Sequence, residues 1–234
     1  SAAFADKPGQ AQQVQQQLSD NLLTIRQPIA PRRVIYGRTR FGGVPTYMHY
    51  ESSTKALNMV VTFAGHVCQS IDAIYFNDNL LDIDTSTANH WDESGKYSAG
   101  AARYVQAWWS LGDEAGQPFG AANGDLVTAS GGEWTDAHRQ TGCTKIYFRI
   151  TANGNLFPTG MPNITVIAKG KKVYDPRTTS TVWTDNASLC QSDQVCDSVS
   201  GLGAVYADEI DEATLDVADY IYTKFNELTA WIVD

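Results

Sequence analysis

The sequence predicts an α+β protein, with β-strands filling most of the chain to about residue 180 and helices after that. Residues 57–63 and 143–150 alternate apolar and polar side chains, as expected of strands with one buried face. After Thr178 the apolar residues recur at steps of three and four, the helical period. We therefore expect a Gln-rich linker or partner-dependent segment at 1–20, a β-rich domain at 21–180, and a helical segment at 181–234. The helical segment is expected to pack on the β-rich domain or on a neighbouring subunit.

Composition limits the classes of protein that this chain can belong to. The 234 residues are 43% hydrophobic and 18% charged, which is typical of a globular protein and not of a disordered one. The net charge of −9 argues against a general nucleic-acid binder, because phosphates would repel most of its surface. No apolar run approaches the roughly 20 residues that span a bilayer, and the start lacks a signal-peptide pattern. We expect a soluble chain. The sequence starts at Ser1 without a Met, which suggests either a processed chain or a piece excised from a longer one, and we favour the excised piece.

The residue types that bind metals or form disulfides are thinly spread. Four cysteines occur without a CxxC pair, and we expect buried free thiols: Cys68, Cys143, Cys190 and Cys196. Four histidines lack the i, i+4 spacing of a helical zinc motif: His49, His66, His90 and His138. The sequence therefore predicts no metal site and no bound cofactor.

A stretch rich in arginine follows the Gln-rich start of the chain. Pro28 and Pro31 favour extended backbone, and a strand is predicted at 33–38. Five arginines fall within fifteen positions: Arg26, Arg32, Arg33, Arg38 and Arg40. They form either a basic patch for an acidic partner surface or phosphate, or a half-solvated strand whose arginine stems lie over apolar neighbours, and we favour the second.

Two stretches have the outline of a β-hairpin, at 70–82 and at 163–175. In the second, Gly170 is predicted to supply the positive φ of a tight turn, and Lys169, Lys171 and Lys172 to keep that turn in water. The two stretches align position by position, so a duplicated β-unit is one explanation. Convergence of short hairpins is the other, and we favour it.

The middle of the chain contains connections and one clear strand. Residues 84–95 form a predicted polar connection, 97–109 resume extended structure, and 111–123 form a Gly- and Ala-rich loop. Thr135 is a predicted cap for one helical turn that Gly142 ends. In the following strand three side chains should face inward and three outward: Ile146, Phe148 and Ile150 inward, Lys145, Tyr147 and Arg149 outward.

Two helices are predicted near the C-terminus. Asp185 is the expected cap of a helix that runs to Cys196, and Gly201 and Gly203 break the chain after it. Asp208 is the expected cap of a longer helix. Its apolar residues form one stripe: Ile210, Ala213, Val217, Ile221, Phe225 and Leu228.

No sequence motif indicates catalysis. The chain lacks a GxSxG elbow, a phosphate-binding P-loop and a GxGxxG turn after a strand. Two pairs of neighbouring carboxylates are candidates for a glycosidase site, although solvated loop acids are the commoner case: Asp92 with Glu93, and Asp113 with Glu114. Four tryptophans are candidates for a sugar-binding groove, although core or interface packing is commoner: Trp91, Trp108, Trp109 and Trp134. We assign no catalytic, cofactor-binding or metal-binding residue from the sequence.

An ordered set of segments resembles one family. The segments are residues 25–38 (IRQPIAPRRVIYGR), 134–142 (WTDAHRQTG), 157–178 (FPTGMPNITVIAKGKKVYDPRT), 183–190 (WTDNASLC) and 201–203 (GLG). Together they resemble the tail-tip or central hub proteins of long-tailed phages. This group includes the host-specificity protein J of lambda-like phages and related prophage tail proteins. The resemblance covers residues 21–226 in the same order.

The resemblance implies a structural protein of the virion. Members of the family form a trimeric hub that closes the tail tube, contacts the distal tail and tape-measure proteins, and leads into receptor-binding domains. They are β-rich with barrel-like sheets, so the resemblance implies a β-rich hub domain with hairpins. It implies assembly in the host cytoplasm and no catalytic residue. The alternatives are a cell-wall- or glycan-degrading domain using the four carboxylates, and a glycan- or receptor-binding module using Trp91, Trp108 and Trp109.

Overall fold

The computed structural model of this chain describes residues 30–82, 90–112, 119–122, 124–206, 210 and 218. In this part of the chain there are thirteen strands and two helices. The strands are β1 (Arg38–Gly42), β2 (Val44–Glu51), β3 (Ala56–Ala64), β4 (Ser70–Phe76), β5 (Asn79–Leu80), β6 (His90–Asp92), β7 (Ser98–Ala99), β8 (Ala102–Arg103), β9 (Val105–Ser110), β10 (Thr144–Thr151), β11 (Ile164–Lys169), β12 (Lys172–Asp175) and β13 (Ser180–Trp183). The helices are α1 (Leu126–Ala129) and α2 (Ala187–Cys196). The predicted β-rich α+β class is confirmed.

Two antiparallel sheets make the body of the described protein. The larger has the strand order β2-β3-β10-β9-β6, and the smaller has the order β1-β11-β4-β5. The pairs β7-β8 and β12-β13 stand apart as two-stranded hairpins. Both large sheets are open within the described residues, with β2 and β6 at the edges of the larger one. No helix of the described part has the length and hydrophobicity to cross a membrane.

The main core lies between the two large sheets. Met59 and Phe148 of the larger sheet meet Ile74, Phe76 and Val166 of the smaller one, and all five are fully buried. The rings of Phe76 and Phe148 lie 5.6 Å apart between centroids. This layer confirms the predicted inward faces of β3 and β10, because alternate residues on a strand point to the same side.

A second apolar layer covers the outer face of the larger sheet. Tyr147, predicted to face water, is fully buried against Trp134 and Leu126, which belong to the long connection between β9 and β10. Lys145 is also buried, and its ammonium donates to the carbonyl oxygens of Gln140 and Cys143 at 3.1 and 3.2 Å. Tyr147 and Lys145 point away from the main core, as predicted, but the prediction that they contact water was wrong. Alternation identifies the face of a strand, whereas another segment decides whether water reaches that face.

Of the two predicted hairpins, only the first forms. β4 and β5 pair around the turn at Asn77, which has a φ of 53°. The second prediction was wrong: β11 pairs with β1 and β4, and β12 pairs with β13. Since the two aligned stretches do not share a hairpin, the structure gives no support to a duplicated hairpin unit.

Gly170 has a different role from the predicted one. A Cβ atom at this position would lie 2.0 Å from the carbonyl oxygen of Ile35. The Gly170 amide also donates to the carbonyl oxygen of Gly37 at 2.8 Å. Glycine is therefore needed for the close approach of two backbones, and not for a tight turn.

The N-terminal strand is displaced from its predicted position. Residues 30–36 form no strand; β1 begins at Arg38, and the unpredicted β2 follows it. The Ile35 amide donates to Nε2 of His66 at 2.8 Å, so a side chain satisfies this backbone group instead of a neighbouring strand. Residues 90–92, predicted to belong to a polar connection, form the edge strand β6.

The arginines of the basic stretch contact their own chain. The Nε atom of Arg38 lies 2.7 Å from an Asp72 carboxylate oxygen, and the Arg40 guanidinium lies 4.1 Å from the ring centre of Tyr75. Arg33 donates to the carbonyl oxygen of Gly42 at 2.7 Å. These contacts match the half-solvated alternative and not the basic patch. Arg26 lies outside the described residues.

Two helix predictions have different outcomes. Thr135 caps a single turn by accepting from the Ala137 amide at 3.3 Å, but no helix follows. The long helix predicted from Asp208 lies outside the described residues except for Ile210 and Ala218. The loop at 111–123 is described only in part.

Candidate docking surface

Several of the sequence segments singled out above come together in one unit, which we call the hairpin–helix unit, residues 170–206. It contains the hairpin β12-β13, helix α2, and the segment that follows α2. Helix α2 packs against β12. The unit crosses residue 180, and the domain division at that residue remains a prediction.

An ion pair between Asp175 and Arg177, two residues apart, holds the turn of the hairpin. Arg177 donates from Nε and Nη2 to the two carboxylate oxygens of Asp175, at 2.9 and 2.7 Å. The Arg177 amide also donates to Asp175 at 3.0 Å. These hydrogen bonds hold the pKa of the buried Asp175 carboxyl below its usual value. The DPRT sequence therefore builds a rigid turn.

Helix α2 begins one residue later than predicted. The side chain of Asn186, and not that of Asp185, caps the helix by accepting from the amides of Ser188 and Leu189 at 2.9 and 3.3 Å. Asp and Asn are both good caps, so the sequence alone does not separate them. Asn186 is buried, whereas Asp185 is exposed.

We expect Asn186→Ala to lower the free energy of unfolding by about 1 kcal/mol, because two helix amides lose their acceptor. Chemical denaturation of the full chain measures this difference. Asp185→Ala is the matched control and should change the stability by less than about 0.5 kcal/mol. A larger loss from Asp185 than from Asn186 would contradict this assignment of the cap.

A cluster of charged groups joins helix α2 to the rest of the protein. The Lys171 ammonium lies 2.6 Å from an Asp193 oxygen and 2.7 Å from an Asp197 oxygen. The hydroxyl of Tyr36 donates to Asp193 at 2.6 Å. Burial, followed by this hydrogen bond to Asp193, raises the pKa of Tyr36. Asp193 lies in the last turn of α2, and Asp197, four residues later, is its C-cap residue. This i, i+4 spacing was a signal in the sequence that we did not use.

The hairpin–helix unit carries most of the large apolar side chains that the described protein exposes. Eight such side chains are exposed: Met48, Tyr50, Leu80, Tyr174, Val182, Val199, Leu202 and Val205. The last five belong to the unit. Val199 and Leu202 are the most exposed, at 82% and 84%. Apolar groups held in water on a rigid scaffold are typical of a docking surface.

Of the four candidate carboxylates, the two that the structure describes make hydrogen bonds within the fold. Glu93 is buried and accepts from the Tyr97 amide at 2.8 Å. Asp92 accepts from Nε2 of Gln106 at 2.7 Å. Asp113 and Glu114 lie outside the described residues.

The four tryptophans do not line a common groove. Trp91 and Trp109 lie on the core side of the larger sheet, with ring centroids 4.4 Å apart. Trp108 and Trp134 belong to the second apolar layer on the opposite face. Trp108 stacks on His90 and on Tyr147, at 4.8 and 5.0 Å. Core packing therefore accounts for these side chains.

The remaining candidates show no convergent chemistry in the described residues. No group of three His, Cys, Asp or Glu side chains lies close enough to hold a metal ion there. All four cysteines are free thiols, as predicted, but only Cys68 and Cys190 are buried. Burial raises the pKa of Cys68 to about 11, so this thiol is unreactive at neutral pH.

Comparisons with known proteins add little to this picture. No family model matches the sequence, and no curated protein matches it. A chain of the "Virion of native gene transfer agent (GTA) particle" is similar to 73% of this chain and to 30% of its own length. The sequence identity is 14% and the TM-score is 0.42. A likeness at this level carries no argument about fold or function.

Proposed function

We propose that this chain is a structural component of a bacteriophage or prophage tail tip, within the baseplate hub. It acts without catalysis, through subunit contacts at the end of the tail tube, and links the tube to host-recognition domains. Its partners are further copies of itself in a trimer, the distal tail and tape-measure proteins, and, through adjacent domains, a host surface receptor. Its location is the virion, after assembly in the bacterial cytoplasm.

The observation that carries this proposal is the hairpin–helix unit. Its Asp175–Arg177 turn is made by motif residues, and the motif residue Lys171 pairs with both Asp193 and Asp197. The same unit presents Val199 and Leu202 to solvent. A family that works by assembly needs a firm scaffold under an apolar contact surface, and this unit supplies both.

Photo-crosslinking in assembled particles tests the proposal. A photoreactive amino acid at Leu202 is expected to capture a neighbouring copy or another tail protein, because the side chain would lie in a subunit interface. The exposed Ala101, at the turn between β7 and β8, is the control position for random surface contacts. Recovery of the chain only in free form from infected cells would contradict a role in the particle. Equal capture from both positions would contradict the docking role of the unit.

A further inference from the structure

A cavity lies at the end of the larger sheet where β2 begins and β3 ends. Val44 and Thr62, which are partners across these two strands, both line it. The cavity encloses about 450 Å³, and no carboxylate of the described residues is part of its lining. Small-molecule sites in proteins usually enclose about 300 to 1,000 Å³. The cavity is therefore large enough to hold a small ligand.

Two arginines line this cavity, Arg32 and Arg33. Arg38, a little further along the chain, pairs with the carboxylate of Asp72 at 2.7 Å. Among the ion pairs of the described residues, none involves Arg32 or Arg33. The basic stretch is therefore not one continuous patch, but it places two cations without an acidic partner beside the same cavity.

Backbone carbonyl groups hold both guanidinium groups in place. Arg32 donates from Nη2 to the carbonyl oxygen of Gly65 at 3.1 Å, and Arg33 donates from Nη1 to that of Gly42 at 2.7 Å. The Gly65 amide in turn donates to the carbonyl oxygen of Arg33 at 2.9 Å. A guanidinium has five N–H donors, so each arginine is positioned by its backbone contact and keeps further donors for a ligand.

The burial of Arg33 makes an anion in the cavity favourable. Arg33 is half-buried, and burial lowers the pKa of its guanidinium. Moving a charge out of water costs free energy, and an opposite charge nearby offsets part of that cost. The planar guanidinium also matches the oxygen atoms of a carboxylate or a phosphate in geometry. The charge in this cavity therefore favours an oxyanion.

Other parts of the cavity wall are apolar. Val44 and Pro45 at the beginning of β2, and Phe63 and Ala64 at the end of β3, line it. Phe63 and Ala64 are buried, so packing fixes their position. Ligand sites commonly combine an apolar lining with a few polar groups that orient the ligand. This lining suits an anion that carries an apolar group better than a bare inorganic ion.

We propose that this cavity binds a small organic anion, a carboxylate or a monophosphate attached to an apolar group. Arg32 and Arg33 bind the oxyanion, and Val44, Pro45 and Phe63 contact the apolar group. The proposal is independent of the role in the tail tip, because it requires only the single chain.

Titration calorimetry of the full chain with four probes tests the ligand class. Phenyl phosphate and phenylacetate carry an oxyanion and an apolar ring. Inorganic phosphate carries the oxyanion alone, and phenylacetamide is the neutral counterpart of phenylacetate. The ring-bearing anions are expected to bind at least about tenfold more tightly than the other two probes, because only they use both parts of the lining.

Each result of this titration has a defined meaning. Binding of only one ring-bearing anion would support the site and assign it to that oxyanion. Equal affinity for phenylacetate and phenylacetamide would contradict the role of the arginines. No binding of either ring-bearing anion, or binding no tighter than that of inorganic phosphate, would overturn the proposal.

Two arginine variants test the location of the site. Arg32→Gln and Arg38→Gln change the net charge equally, but only Arg32 lines the cavity. Both side chains are exposed, so both variants should fold. Arg32→Gln is expected to weaken the binding of phenyl phosphate by about tenfold or more, and Arg38→Gln by less than about twofold. Equal weakening would indicate general attraction of anions and would overturn the proposed site.

Alkylation of Cys143 gives an independent readout. Its thiol lines the cavity, with Sγ 3.8 Å from Nη2 of Arg32. Saturating phenyl phosphate is expected to slow its reaction with iodoacetamide by about fivefold or more, because the ligand would cover the sulfur. Cys196, the other partly buried cysteine, does not line this cavity and is the control. Slowing at both cysteines or at neither, measured by mass spectrometry of peptides, would contradict binding in this cavity.

Discussion

Replacing Gly170 with alanine is expected to lower the free energy of unfolding by about 4 kcal/mol or more. The new Cβ atom would lie 2.0 Å from the carbonyl oxygen of Ile35, so the backbones must separate. Separation would break the hydrogen bond from the Gly170 amide to Gly37 and the one from the Lys171 amide to Ile35, each 2.8 Å long. Chemical denaturation followed by circular dichroism measures the loss.

Gly154→Ala is the matched control for this prediction. A Cβ atom at Gly154 has no neighbour within 4 Å, and its φ lies outside the left-handed region. The control should therefore change the stability by less than about 1 kcal/mol, with a small gain from the stiffer unfolded chain as the favoured direction. Similar stabilities for the Gly170 variant and the control would contradict the close approach.

Lys171→Met is expected to cost about 2 to 3 kcal/mol of stability. Methionine keeps the aliphatic stem but leaves Asp193 and Asp197 near each other without the ammonium that separates them. Lys172→Met is the control, because Lys172 is the next residue, begins β12 and is exposed. It should change the stability by less than about 0.5 kcal/mol.

The same cluster predicts a dependence of stability on pH. Hydrogen bonds from Lys171, and then from the amides of Ser200 and Val199, hold the pKa of Asp197 below its usual value. A carboxyl with a lowered folded-state pKa stabilises the protein fully above its unfolded pKa of about 3.9. That contribution is lost as the pH falls through the folded-state pKa.

Denaturation at a series of pH values between about 6 and 2 measures this effect. The unmodified chain is expected to lose stability steeply toward the acid end. Lys171→Met should show a shallower loss, because the largest cause of the pKa shift is gone while the two amides remain. Parallel curves for the two proteins would contradict a role of Lys171 in the acid response.

These predictions concern two neighbouring residues whose roles the sequence did not reveal. Gly170 and Lys171 look like a turn glycine beside a solvated lysine. In the structure they form the joint between the smaller sheet, the segment at Ile35 and helix α2. The contacts involve residues more than twenty positions away, and local patterns carry no information about such partners.

Local chemistry was enough to predict the strand class, the inward faces of β3 and β10, the β4-β5 hairpin and the existence of α2. Each of these depends on period, turn residues or caps within about ten positions. Tertiary structure alone decided that β12 pairs with β13, that Tyr147 and Lys145 are buried, and that the four tryptophans lie on opposite faces of one sheet. The reason is that alternation gives the direction of a side chain, whereas its surroundings depend on which distant segment packs there.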